Sequence, residues 1–422
     1  MNITRAAPMP AAPQNTEMIQ ERHVYIDASI SMSGFVNPSQ HTQFNELIEG
    51  LSDVISSAQL YKYGQKAGGK APRDNSNFVI EKVSPGTELH QRQFYDLSFN
   101  PDDRLIERLA NEERQILSVL VTDGVFSEPQ GGTSPPVVQA LQKWLDRGRV
   151  LGILIFKSSF NGPFYSERGR QMLNPLPVKD RPFYAFVLSP TEKDLRRFQD
   201  DLRRRLPEIE MRSLIFSDNA ASCVPELNER LKGTYSYKRP PEVPYYWHMF
   251  DASLFAQQNP APVSYRIKCN IAPDYPLAEL RFDLAAQYYR WQKGQFQRVE
   301  NTPQGFAHNA DPGSVKEGAS EKLNDSPAQA NSGSSAMQPD VIVYFPKDPG
   351  GDYGFYHFTL EASPKALRPE ILELSTRDDR LPQNAGKTFR FYELVFALTN
   401  IHFKTRLADK ASPTIFVTID NH

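Results

Sequence analysis

Asp27, Ser29 and Ser31 stand at alternate positions in HVYIDASISMSG, residues 23–34. All three side chains offer oxygen and none offers nitrogen or sulfur, the donor type that suits a hard cation such as Mg²⁺. The residues just before them, Val24, Tyr25 and Ile26, read as a short apolar strand. A second apolar run, Ile116 to Thr122 (ILSVLVT), leads into Asp123-Gly124. If the two runs are adjacent parallel strands, Asp27 and Asp123 meet in the crevice beyond their carboxyl ends, where open α/β sheets bind ligands. A divalent ion at Asp27, Ser29, Ser31 and Asp123 is the chemistry this pattern predicts.

The run Asp27-Ala28-Ser29-Ile30-Ser31-Met32, with Thr122-Asp123-Gly124 about a hundred residues on, resembles the metal-ion-dependent adhesion site (MIDAS) of von Willebrand factor A (vWA) domains. D-x-S-x-S alone recurs by chance; the preceding strand and the buried-type strand ending in T-D-G make the resemblance specific. It implies one divalent ion, Mg²⁺ or else Mn²⁺ or Ca²⁺. The first Asp, both Ser, a Thr or Ser of a middle loop and the Asp of T-D-G would hold it, partly through water. A carboxylate from a partner protein would complete the shell. The middle-loop ligand is Ser98, just ahead of the Asn100-Pro101 helix start, or Thr87 in SPGTEL. Counting back from Asp123, Ser98 leaves room for one helix and one strand and is preferred. Asn100 itself reads as a helix cap. One departure is Ile30, which stands where the family usually has Gly. Ser and Asp after a strand also commonly fold a turn or cap a helix, but residues 32–38 do not read as an immediate helix.

The elements around these residues alternate. Phe44, Leu47, Ile48, Leu51, Val54, Ile55 and Ala58 recur at helical spacing, predicting a helix over 42–59. A strand is expected over 78–83, a helix around Leu105, Ile106 and Leu109, then the T-D-G strand. A helix through Val137–Leu145, strands over 150–156 and 182–188, a helix over 195–206 and a strand over 213–216 follow. Such repeats predict an α/β, Rossmann-like, mostly parallel sheet with helices on both faces. The vWA resemblance covers about residues 21–220.

After Tyr235 the chain turns aromatic, proline-rich and β-rich. Strands are expected over 263–271, 277–282, 341–345, 354–360, 371–376 and 414–419, suggesting a sandwich-like β module. Residues 389–403 suit either a buried helix or a long strand. The β-rich regions are 221–301 and 339–422. Between them, 302–338 collapses to Ala, Ser, Gly, Asn, Pro and charge and is expected to be disordered. It either links two β domains or, as the few strands on each flank favour, loops out of one. Residues 1–20 lack an apolar run, so they read as a disordered arm rather than a secretory signal.

Composition narrows the function. The 422 residues carry a net charge of −2, which argues against a concentrated basic surface for nucleic acid. No stretch approaches the ~18–20 apolar residues of a membrane span. Cys223 and Cys269 form neither a metal spacing nor a disulfide framework, so a reduced, cytoplasmic chain is expected. Gly64 to Lys70 (GQKAGGK) matches a phosphate loop, but Ala71 replaces the required hydroxyl, no apolar strand leads in and Pro72 follows. It reads as a surface loop. Arg196, Arg197, Arg203, Arg204 and Arg205, interleaved with Asp194, Asp200 and Asp201, read as a salt-bridged helix face. The histidines show no zinc spacing, and no G-x-S-x-G is present.

The leading expectation is therefore a non-enzymatic, metal-dependent protein-recognition module. Its partner would present an Asp or Glu, and the resemblance implies an assembly with an AAA+ ATPase or another complex subunit. A metal-assisted hydrolase at the same site and a scaffold with a vestigial site are the alternatives.

Overall fold

A computed structural model describes residues 21–36, 42–54, 59–66, 77–84, 87–98, 102–125, 136–166, 168, 171–173, 177–227, 246–251, 261–292, 295–299, 340–345 and 354–420. The expected arm (1–20), the low-complexity insert (302–338) and the Asn100-Pro101 helix start lie outside these residues. Two compact units emerge, each assembled from separated stretches. The first comprises Met1–Glu128, Gly148–Ser213 and Asp378–Gly386; the second comprises Pro129–Arg147, Leu214–Arg377 and Lys387–His422.

In chain order, the first half forms β1 (Glu21–Asp27), α1 (Gln43–Val54), β2 (Gln59–Gln65), β3 (Phe78–Lys82), α2 (Asp102–Ala110), β4 (Ile116–Thr122), α3 (Pro136–Asp146), β5 (Val150–Phe160), β6 (Phe164–Ser166), β7 (Gln171–Leu173), β8 (Val178–Ser189), α4 (Glu192–Arg205) and β9 (Arg212–Phe216). A seven-stranded sheet has the order β3-β2-β1-β4-β8-β5-β9. β1 pairs in parallel with β2 and with β4. β3 is antiparallel to β2, and β8 is antiparallel to both β4 and β5. β1, β2, β4 and β5 thus share one direction, giving a mostly parallel sheet into which β8 is inserted the other way. The reason is the connection: the described residues between β5 and β8 contain no helix, and without a crossover the chain returns antiparallel.

Every residue of β4 is buried, as is β1 from His23 on, as expected of central strands covered on both faces. Arg22 reaches Asp201 of α4 at 3.2 Å and lies over Phe198. Tyr25 points to the opposite face, where it feels the charge of Arg108 of α2. Helices therefore flank both faces. Thr42 starts α1 by accepting the Asn45 amide at 3.1 Å.

The helix expected over 42–59 ends at Val54, and Gln59 opens β2. Gln59, Lys62 and Gln65 break the apolar pattern of β2, which hid the strand from periodicity. β2 also corrects one detail of the phosphate-loop reading: a strand does lead into Gly64, which lies within it together with Gln65. The basic run lies along α4, where Arg196 pairs with Glu192 (2.7 Å), Arg203 with Asp200 (3.8 Å) and Arg204 with Asp201.

The second half forms β10 (Ala221–Leu227), β11 (Tyr246–Asp251), β12 (Ala261–Ile271), β13 (Leu277–Gln292), β14 (Gln295–Val299), β15 (Asp340–Phe345), β16 (Gly354–Leu367), α5 (Pro369–Glu373), β17 (Ser375–Thr376), β18 (Thr388–Phe389), α6 (Phe391–His402), α7 (Ala408–Ala411) and β19 (Thr414–Asp420). One antiparallel sheet has the order β10-β12-β15; a five-stranded sheet has the order β11-β19-β16-β13-β14, antiparallel except at β11/β19. Residues 371–376, expected as a strand, instead end helix α5 and form the two-residue β17, because Pro369 starts a helical turn. The ambiguous stretch 389–403 is mainly helix α6, which buries Leu394, Val395, Leu398 and His402 and runs into a π-turn over Phe403–Leu407. Among the described residues no helix is long and apolar enough to cross a membrane.

The reduced state expected for the cysteines is corrected. Cys223 of β10 faces Cys269 of β12 directly across the antiparallel ladder, their Cα atoms are 4.1 Å apart, and they form a disulfide. Spacing in sequence could not show this register. The bridge closes a loop with a sequence separation of 46, for which chain entropy gives a stabilisation of about 4 kcal/mol. Reduction is expected to lower the unfolding free energy of the second unit by about 2–4 kcal/mol, read as a lower urea midpoint; an unchanged midpoint on reduction would contradict it.

Candidate metal centre

The site forms where β1 and β4 end side by side. Their parallel register pairs Ile26 with Val121, which sets Asp27 level with Thr122. Beyond β1 the chain is held on its other flank: the Ala28 amide donates to the Tyr63 carbonyl (3.0 Å), and the Ile30 amide to that of Leu97 (2.8 Å). Ser29 opens a 3-10 helical turn over Ile30–Phe35, so a short helix does follow the loop at once, contrary to expectation. Ser29 nevertheless makes no side-chain cap bond to it. Its hydroxyl lies 2.9 Å from that of Ser31.

Asp27 is fully buried and accepts hydrogen bonds from the Ser29 amide at Oδ1 (2.8 Å) and from the Thr122 hydroxyl at Oδ2 (3.3 Å). Asp123, 2% exposed, accepts the Val125 amide at 3.2 Å and a hydrogen bond from the Ser31 side chain. Asp27, Ser29, Ser31, Thr122 and Asp123 thus belong to one cluster of oxygen-bearing groups at the carboxyl ends of two strands. Thr122 is a member that the initial set of candidates did not include, although T-D-G displays it. Ile30 is 38% exposed at the rim. Among the described residues the only non-glycine with positive φ is Arg390, so the position Ile30 fills does not demand a glycine.

The two middle-loop candidates separate. Leu97 forms a parallel bridge with Ser29, and the next residue, Ser98, donates its amide to the Gln65 carbonyl at 2.9 Å. Ser98 therefore neighbours the D-x-S-x-S loop. Thr87 is exposed and spends its hydroxyl on the Ser84 carbonyl (2.7 Å). Its neighbourhood is tied to Leu60 through the Val83 amide, and Leu60 pairs with Val24, whereas Asp27 pairs with Tyr63. Thr87 thus sits toward the other end of the strands.

Burial pushes the Asp123 carboxyl up, since desolvation penalises its charged form; the nearby Arg181 guanidinium and the bonds from Val125 and Ser31 oppose this. Burial also pushes the Tyr95 phenol up, and the negative charge of Asp27 raises it further, so Tyr95 stays neutral beside the site. Arg181 is itself buried, at 4% exposure. Nothing in the sequence marked it, because its relation to Asp123 depends on β8 entering beside β4.

The donor set fits a hard divalent cation: two buried carboxylates that gain from a cation, plus hydroxyls, with no nitrogen or sulfur. Among the described residues no group of three or more His, Cys, Asp or Glu converges on a metal-sized site; a centre here would rest on two carboxylates and hydroxyls. Comparison with known proteins yields no matching family model, no matching curated protein and no matching solved structure.

Proposed function

We propose that the first unit is a vWA-type recognition module. In it Asp27, Ser29, Ser31, Ser98 and Asp123 hold one Mg²⁺ or Mn²⁺, and the ion binds an Asp or Glu of a protein partner. The observation that carries this reading is the cluster of two buried carboxylates with Ser29, Ser31 and Thr122 at the ends of adjacent parallel strands. A carboxylate–metal contact fixes orientation, while surrounding loops supply contact area. The β-rich second unit serves as a further docking surface in a multi-protein assembly, with an AAA+ ATPase or another complex subunit as the partner class.

Calorimetric titration of Mg²⁺ and Mn²⁺ into the metal-stripped full chain, beside Asp27→Asn, tests the reading. The substitution keeps an acceptor for the Ser29 amide while removing the charge. One saturable site in the wild type, weakened at least about a hundredfold in the variant by loss of a ligating charge, is expected. Saturable binding that the folded variant retains at wild-type affinity would sink it. A scaffold with a degenerate site is the second reading. Arg181 favours it, because a buried guanidinium can supply from within the positive charge that Asp123 needs.

A further inference from the structure

Arg181 lies on β8, which runs antiparallel to β4 with Tyr184 opposite Thr122. That register carries Arg181 past the end of β4, alongside the stretch that holds Asp123 and Val125. Asp123 and Arg181 each act electrostatically on the other. A buried guanidinium persists only where it is well partnered, and this one is held on several sides. Its Nη1 donates to the Ala385 carbonyl at 3.3 Å. Its carbon Cζ lies 4.4 Å from the centroid of the Phe160 ring, a cation–π contact. Phe160 packs closely on Gly34: a Cβ on Gly34 would lie 2.3 Å from its edge.

Ala385 belongs to Asp378–Gly386, the segment that joins the first unit although its flanks belong to the second. The segment is anchored by Asp379, 5% exposed, which accepts the Ser166 hydroxyl at 2.8 Å and the Arg168 amide at 3.3 Å. The negative charge of Asp379 also acts on Arg181. One late segment of the chain therefore supplies both a carbonyl and a carboxylate to a buried cation beside the metal centre.

We propose that Arg181 is a built-in competitor for the divalent ion: its guanidinium neutralises Asp123 and keeps the intrinsic ion affinity low, and the segment Asp378–Gly386 fixes it there. The inference rests on the metal reading of the site and adds what sets its strength. With Arg181 in place, the centre has two carboxylates against one internal cation. A divalent ion must then bind against a like charge, and a partner's carboxylate restores the balance. Ion and partner thus bind together better than either binds alone, which is coupling in the thermodynamic sense.

The test is Mg²⁺ titration of the metal-stripped full chain as wild type, Arg181→Met and Arg181→Lys, with thermal unfolding to verify folding. Met keeps an apolar stem against Phe160 and removes the charge; Lys keeps the charge. Removing the like charge that acts on Asp123 should tighten Mg²⁺ binding by on the order of tenfold or more in Arg181→Met. Arg181→Lys should stay within about threefold of wild type. A merely structural Arg181 would yield weaker binding on substitution, never tighter. Folded Arg181→Met that binds Mg²⁺ no tighter than wild type overturns the inference while leaving the metal reading intact. Folded proteins of both kinds that bind no Mg²⁺ overturn both. If Arg181→Met does not fold, Arg181→Gln, which retains a donor for the Ala385 carbonyl, carries the same expectation and the same refutation.

Discussion

Gly124→Ala is expected to destabilise the first unit by about 3 kcal/mol and to disturb the hydrogen bonds of the turn after Asp123. Gly124 has a φ of +71°, in the left-handed region. An L-residue there costs about 1–2 kcal/mol. A Cβ on Gly124 would also lie 2.5 Å from Tyr184 Cδ2, far inside contact distance. Tyr184 is fully buried and cannot swing away, so the overpacking adds about 1–3 kcal/mol. The same turn lets the Gly124 amide donate to the Thr122 hydroxyl at 3.2 Å, which in turn donates to Asp27. Strain at Gly124 therefore reaches both carboxylates. Urea unfolding followed by the near-ultraviolet signal should show the loss, and a midpoint equal to wild type would mean the turn after Asp123 tolerates a side chain.

In the second unit, acid is expected to lower stability by about 3 kcal/mol between pH 6.5 and pH 4 through His402 alone. The imidazole is 1% exposed, and burial pushes it from 6.5 down to about 4, with Asp218 raising it and Arg406 and Lys410 lowering it. Tyr275 places its hydroxyl 3.2 Å from Nδ1, and Phe216 meets the ring edge-on. The folded value lies below the unfolded one, so the unfolded chain takes up the proton first as pH falls. Stability is thus complete above 6.5, declines as pH falls toward about 4, and has no further His402 contribution below that. Asp218, bound in bidentate fashion by Arg406 at 2.7 and 2.5 Å, loses its ionised form only below the ordinary carboxylate value of 3.8, because the Arg406 bond and charge outweigh its burial. Its contribution therefore falls at lower pH and does not mask the histidine. His402→Gln, polar and uncharged at every pH, should flatten the profile over that window. A variant with the slope of the wild type would remove His402 as the cause.

How much was legible in advance follows from the range of each interaction. Asp27, Ser29 and Ser31 declare themselves because their alternation and the preceding apolar run are local, and T-D-G ends a run so apolar that it reads as a central strand. The parallel pairing of those strands was a conditional statement in the sequence and a fact of the register. Helices α1 to α4 follow from apolar spacing, since one buried face imposes a period of about 3.6. Periodicity missed β2, whose polar residues interrupt the pattern, and misread 371–376, where Pro369 decides the local geometry.

What the sequence by itself determined is the oxygen-only donor set, the α/β first half and the change to β-rich composition in the second. What only the tertiary structure decided is of longer reach. Cys223 and Cys269 meet because two strands pair in one register rather than its neighbours. Ser98 lies by the loop, and Thr87 away from it, because Leu97 bridges Ser29. Arg181 comes to stand beside Asp123 because β8 enters the sheet antiparallel to β4 and because Asp378–Gly386 returns to cover it. Composition and spacing record which groups a chain owns. Burial and register decide which of those groups share a charge, because the Coulomb interaction depends on distance through space and not along the chain.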